Sequence, residues 1–180
     1  MREQALKFLT ESSAACRAHS GRTLLEHLVN TEKILAKWGC DEDARYAGLF
    51  HSIYGTNAFG HATVTDDNRT MIVDLIGARA EELVYAFHVA HRPNAFLSAY
   101  HDLALTDRLT SEIVFLDETS ARQLLEIECA NLIEQNSSSK FLRNVLALRH
   151  EGEIELRSSI VLELESRINR GSRSTPRLQN

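Results

Sequence analysis

Apolar residues recur at three- and four-residue steps along most of the chain, with charged residues between them, which is the signature of amphipathic helices. Glu3 to Ala18 carries Ala5, Leu6, Phe8 and Leu9 on a partial apolar face and predicts a first helix. Ser20-Gly21 interrupts the pattern. Thr23, with Glu26 three residues on, supplies a capping box for a helix bearing Leu24, Leu25, Leu28, Ile34 and Leu35. That helix is expected to close near Trp38-Gly39, where glycine suits a left-handed cap. Asp41 caps the next helix, which runs through Phe50 and His51, and Tyr54 to Asn68 reads as a polar loop. A short helix is predicted over Arg69–Ile76, with Gly77 separating it from Ala78–His91. Pro93 stops that piece, because proline disfavours helical geometry in the residue ahead of it.

Asn94 to Ser111 reads as a mixed segment with helical character. Asp117 or Thr119 caps the helix SARQLLEIECANLIEQ, whose apolar part is Leu124, Leu125, Ile127, Leu132 and Ile133. Ser137 to Ser139 marks a turn and cap before Phe141–Arg149 and Ile154–Ile168, the last with Ile160, Val161, Leu164 and Ile168 on one side. The basic, polar residues 171–180 read as a disordered tail. With no internal repeat and no linker, residues 1–170 form one domain.

Composition narrows the class. Only 2 Pro and 8 Gly in 180 residues favour an all-α architecture. A formal net charge of −5 argues against nonspecific nucleic-acid binding, which needs a basic field. The three cysteines (Cys16, Cys40, Cys129) are far apart and read as reduced thiols. No apolar run is long enough to span a bilayer, and the first residues are too polar for a signal peptide. The expectation is a cytoplasmic protein without a membrane partner.

The candidate chemistry lies between Ala18 and Ala58. His27 falls early in one predicted helix and His51 late in the next, with the acidic turn Asp41-Glu42-Asp43 between them. Antiparallel neighbours would bring both imidazoles to one end of the pair, as a metal site or a polar pocket. Ordinary histidines satisfied by backbone carbonyls are the plainer alternative.

HSGRTLLEHLVNTEKILAKWG followed by AGLFHSIYGT resembles the HD superfamily of helical metalloproteins, closest to the domain that hydrolyses guanosine tetraphosphate in stringent-response enzymes. DLIGARAEELVYAF is similar to that family's next helix, and ECANLIEQ stands where its Lys-Leu-Ala-Asp-Arg-Leu-His-Asn motif would fall. The likeness covers residues 18–136 and implies an HD-like helical bundle, with residues 139–170 as additional C-terminal helices. It also implies that His27 and His51 are metal ligands. Ser52 and Asn131 occupy the positions of the two motif aspartates, so a divalent ion would lose both anionic ligands and ordinary phosphohydrolysis loses its basis.

Glu134, three residues after Asn131, could restore a carboxylate, giving a two-His-one-carboxylate set of His27, His51 and Glu134 for iron, manganese or zinc. Glu128 is equally placed by spacing. Glu134, Tyr54 and Arg22 are the catalytic candidates, and Arg22, Ser52, Tyr54, Asn131 and Gln135 the substrate-contact candidates. Arg22 offers a planar donor fork or a salt bridge to Glu26, and Tyr54 a phenol or a core aromatic. His61, His88 and His91 are further ligand candidates, although His88 and His91 also suit a helix C-terminus. Asp107, in LTDRLT, is the carboxylate of an alternative alignment. His19 falls at the pocket mouth or on the surface, and Cys129 reads as a buried inert thiol.

These residues point first to a metal-dependent enzyme acting on a small polar or anionic metabolite. A binding or regulatory module without metal is the alternative, and a helical interaction protein forming a homodimer through its last helix is a third reading.

Overall fold

The computed structural model describes residues 1–19, 21–137 and 140–173. Expectations placed on Ser20, Ser138, Ser139, the side chain of His19 and residues 174–180 lie outside the described residues. The chain is all-α, with two small hairpins. Helices α1 (Arg2–Glu11), α2 (Leu24–Lys37), α3 (Glu42–Phe50), α4 (Arg69–Ile76) and α5 (Ala78–Val89) are followed by α6 (Ala95–Asp102) and α7 (Glu118–Glu134). Helices α8 (Lys140–Glu151) and α9 (Ser158–Arg173) complete the order. Strands β1 (Ala18–His19) and β2 (Arg22–Thr23) pair antiparallel just before α2; β3 (Ala104–Thr106) and β4 (Ile113–Phe115) pair between α6 and α7.

Local chemistry sets the main boundaries. Thr23 accepts from the Glu26 backbone while the Glu26 carboxylate takes the Thr23 N–H, so both halves of the capping box form. Asp41 and Asp117 cap α3 and α7 through the backbone N–H groups of Ala44 and Ser120. Gly39 follows α2 at φ 76°, the left-handed geometry that ends a helix without Cβ strain. The first helix is shorter than expected: Ser12 caps a separate 3-10 turn at Ser13–Ala15, and the chain then turns into β1.

The mixed segment Asn94 to Ser111 divides into helix α6 at Ala95–Asp102 and then the first strand and turn of a hairpin. Asp107 accepts from the backbone N–H groups of Leu109 and Thr110, and Ser111 adopts φ 65°, closing a turn that sets Leu105 opposite Val114. Helix α9 begins later than expected and extends into the segment read as a tail. Its Ile160 and Leu164 are fully buried against the chain's own core. The apolar stripe considered for a homodimer is thus engaged within the protomer.

Helix α2 packs on α3 and α7, and α3 packs on α5 and α7. A Cβ at Gly48 of α3 would overlap Leu35 Cδ1 of α2, so glycine permits this close approach. Leu24, Leu28, Leu35, Leu49, Phe50, Phe87, Leu124 and Leu125 fill the space between these four helices. No helix among the described residues is long and apolar enough to cross a membrane.

Candidate functional site: a histidine pair beside a polar cavity

Inside this apolar frame, five glutamates are buried: Glu32, Glu81, Glu126, Glu128 and Glu134. Each meets an arginine. Arg2 and Arg45 hold Glu32, Arg69 holds Glu81, Arg157 holds Glu126, Arg92 holds Glu128 and Arg22 holds Glu134. A buried carboxylate needs such pairing, because the low-dielectric interior otherwise favours its neutral form.

His27 and His51 are 0 % and 1 % exposed, and their Nε2 atoms face each other at 3.2 Å. On the outer edge of each ring, Nδ1 of His51 lies 2.8 Å from the Gly48 carbonyl, and Nδ1 of His27 lies 2.5 Å from Glu134 Oε2. The carbonyl can only accept, so His51 Nδ1 carries hydrogen and His51 Nε2 presents a lone pair. His27 Nε2 must then donate. That leaves the proton in the His27–Glu134 contact shared between an imidazole and a carboxylate. The other Glu134 oxygen accepts from Arg22 and from Asn30. Burial lowers the His27 pKa below its usual value, and the hydrogen bond and charge of Glu134 pull the other way.

Asn131 joins this row from α7. Its side chain donates to Glu128 Oε2 at 3.3 Å and accepts from Gln135 at 2.9 Å, and it lies near enough to His27 to favour that ring's charged form. The structure therefore brings His27, His51, Asn131, Glu134, Arg22 and Gln135 into one connected interior. On the pocket side of Asn131, Ser52, Thr56, Arg92, Glu128 and Gln135 line a cavity of about 370 Å³, with apolar walls that include Phe59 and Leu132.

The expected metal set takes a different form. Glu134 stands at the Nδ1 edge of His27, and the two imidazoles converge through the opposite edge, so Glu134 cannot join them around one ion. Glu128 gives one oxygen, Oε2, to Arg92 through contacts of 2.9 and 2.6 Å. Among the described residues, no three His, Cys, Asp or Glu side chains are grouped to hold a metal. Beside the two imidazole nitrogens the described residues group no carboxylate, and neutral donors alone hold iron, manganese or zinc weakly.

Tyr54 also departs from its expected role. Its hydroxyl donates to Glu81 at 2.9 Å, and Arg69 grips the same carboxylate with two contacts of 2.7 Å. This second polar cluster lies on the α4–α5 side, with Arg69 over the Tyr85 ring. Buried His88 directs Nδ1 at the Gly55 carbonyl at 2.7 Å; His91 is exposed, and His61 meets Ser13. Asp107 caps the β3–β4 turn, which leaves Asn131 in the site. Burial raises the pKa of the Cys129 thiol well above normal, in keeping with an inert core residue.

Sequence reasoning passed over Arg92 and Thr56. Their signal was indirect: Glu126, Glu128 and Glu134 sit on a helix whose other positions are mostly apolar, and each buried carboxylate calls for a cation from elsewhere in the chain.

The chain is similar, over residues 8–92, to the family described as "Domain of unknown function (DUF6817)". That stretch carries Arg22, both histidines, Ser52, Thr56 and Arg92, and it stops short of α7. No curated protein and no solved structure matches the chain.

Proposed function

We propose that this protein is a small-molecule-binding module on an HD-type helical frame, with a proton-sharing Glu134–His27–His51 network where that superfamily holds its metal. The observation that carries the reading is the position of Glu134 at the outer edge of His27, braced by Arg22 and Asn30. The carboxylate orients the imidazole and leaves no anionic ligand at the inner edge. The adjoining cavity of about 370 Å³ falls within the volume range of small-ligand sites, roughly 300–1,000 Å³. Its apolar walls and few converging polar groups fit the same class. The three cysteines are all free thiols, which supports a reducing, cytoplasmic setting.

A metal-dependent enzyme is the competing reading. It rests on the 3.2 Å between the Nε2 atoms, a separation that one ion bridging both imidazoles would also produce. Metal content separates the two. Protein purified without a histidine tag is incubated with manganese, ferrous iron or zinc, desalted and assayed by elemental analysis. The binding-module reading expects well under one equivalent retained, with no difference between the wild type and His27→Ala. One equivalent retained by the wild type, and lost in both His27→Ala and His51→Ala while the fold persists, would overturn it.

A further inference from the structure

The cavity beside Asn131 contains two hydrogen-bonding groups that no described residue answers. Glu128 is 1 % exposed, yet every hydrogen bond it makes among the described residues falls on one oxygen. Arg92 Nε and Nη2 and Asn131 Nδ2 all donate to Oε2, and Oε1 accepts nothing. Ser52 is 3 % exposed, and its hydroxyl has no partner among the described residues. Both residues line the same cavity. A donor brought into the cavity by a ligand can complete the hydrogen bonding of this carboxylate. The unmet capacity is mainly that of acceptors.

The charge balance sharpens the ligand's description. Among the described residues Arg92 is the one cation on the cavity wall, and Glu128 neutralises it by a two-point contact. Its Nη1 is also engaged, by Thr56 Oγ1 at 3.3 Å. An anion entering the cavity would have to compete with a carboxylate already seated on this guanidinium, and would face the bare Oε1. A hydroxyl or amino group instead donates to Oε1 and exchanges hydrogen bonds with Ser52.

We infer that the cavity selects an uncharged or cationic small molecule rich in hydroxyl or amino donors, seated on Glu128 Oε1 and Ser52 Oγ, and excludes anions. This inference rests on the binding-module reading. It replaces the broader expectation of a polar or anionic metabolite with one side of it. The cavity's volume accommodates a molecule of monosaccharide size, and the ring of Phe59 offers an apolar wall for its carbon face.

Three probes test the point by ligand-observed NMR and calorimetry on the full chain: D-ribose as a neutral polyol, putrescine as a cationic amine and inorganic phosphate as an anion. The expected result is measurable binding of ribose or putrescine, at least tenfold weaker in Ser52→Ala, and no binding of phosphate. Ser52→Ala removes one hydroxyl and leaves the Arg92–Glu128 pair intact, so its fold is preserved. In Glu128→Gln the preference should reverse, with Arg92 now accepting phosphate and the donor-rich probe lost. Tighter binding of phosphate than of either donor probe in the wild type would overturn the inference while leaving a binding module standing. Absence of binding by all three would also overturn it. Stoichiometric metal in the elemental assay would instead remove the reading beneath it.

Discussion

Replacing Glu134 by glutamine and by alanine should give very different proteins. In the wild type, one Glu134 oxygen takes Arg22 and Asn30, and the other meets His27 Nδ1. A glutamine can keep its carbonyl toward Arg22 and Asn30 and turn its amide N–H toward His27. The imidazole then shifts to the tautomer with hydrogen on Nε2, which is the one that donates to His51. Every contact in the row survives, and the loss is the charge assistance to Arg22, about 1 kcal/mol or less because that guanidinium is one-third exposed. Alanine leaves the buried His27 Nδ1 and the Asn30 amide without their partner and opens a cavity, which costs about 3–5 kcal/mol. For a chain of this size each kcal/mol moves Tm by about 2–4 °C. Glutamine should therefore lower Tm by a few degrees, and alanine by roughly 6 °C or more. Thermal and urea unfolding of the two variants measure this directly. Equal destabilisation by both would mean that the negative charge, and not the order of donors and acceptors, holds the row together, and the shared-proton account would be wrong.

The remaining expectations concern single contacts. The His27 side chain should titrate below about 6.5, the value for an unperturbed histidine, and its ring-proton NMR shift reports the midpoint; a midpoint above that value contradicts the dominance of burial. Because the unfolded chain binds this proton more readily, stability contributed by neutral His27 is complete above about pH 6.5 and falls as pH drops toward the folded-state pKa. The urea midpoint should decline over that window less steeply in His27→Gln than in the wild type. Tyr54→Phe should cost about 1–2 kcal/mol through the lost hydrogen bond to Glu81 and leave ribose or putrescine binding unchanged; weakened binding would return Tyr54 to the site. Gly48→Ala should destabilise by about 1–3 kcal/mol, since the clash with buried Leu35 outweighs the helical preference of alanine. A rise in Tm would show that α2 and α3 have room to separate.

The helices were legible wherever a cap and an apolar period agreed. Thr23 with Glu26, Asp41 and Asp117 each mark a helix start that the backbone adopts, and Gly39 and Gly77 mark ends. The two hairpins were not legible, because both are short. Ala18–His19 and Ala104–Thr106 offer too few alternating positions to outweigh the helical period on either side. The start of α9 was misjudged because Ile154 and Leu156 are buried from a non-helical segment, and burial alone does not reveal the period.

For the site, convergence was readable and hydrogen-bond direction was not. The helical pattern around His27 and His51 was enough to bring the two imidazoles together, and the resemblance to the HD superfamily added Asn131 from α7. Which edge of an imidazole a carboxylate meets depends on side-chain rotamers and on what lies behind it. Glu134 sits one helical turn after Asn131, a spacing equally suited to a metal ligand at Nε2 or a brace at Nδ1. Arg22 and Asn30 decide between them: both donate to Glu134 from the outer side of His27, drawing the carboxylate away from the inner edge where an ion would sit. Arg92 does the same to one oxygen of Glu128. The arginines thus determine what each buried glutamate of α7 can still do: Glu134 is fully used in holding His27, and Glu128 retains one oxygen for whatever enters the cavity.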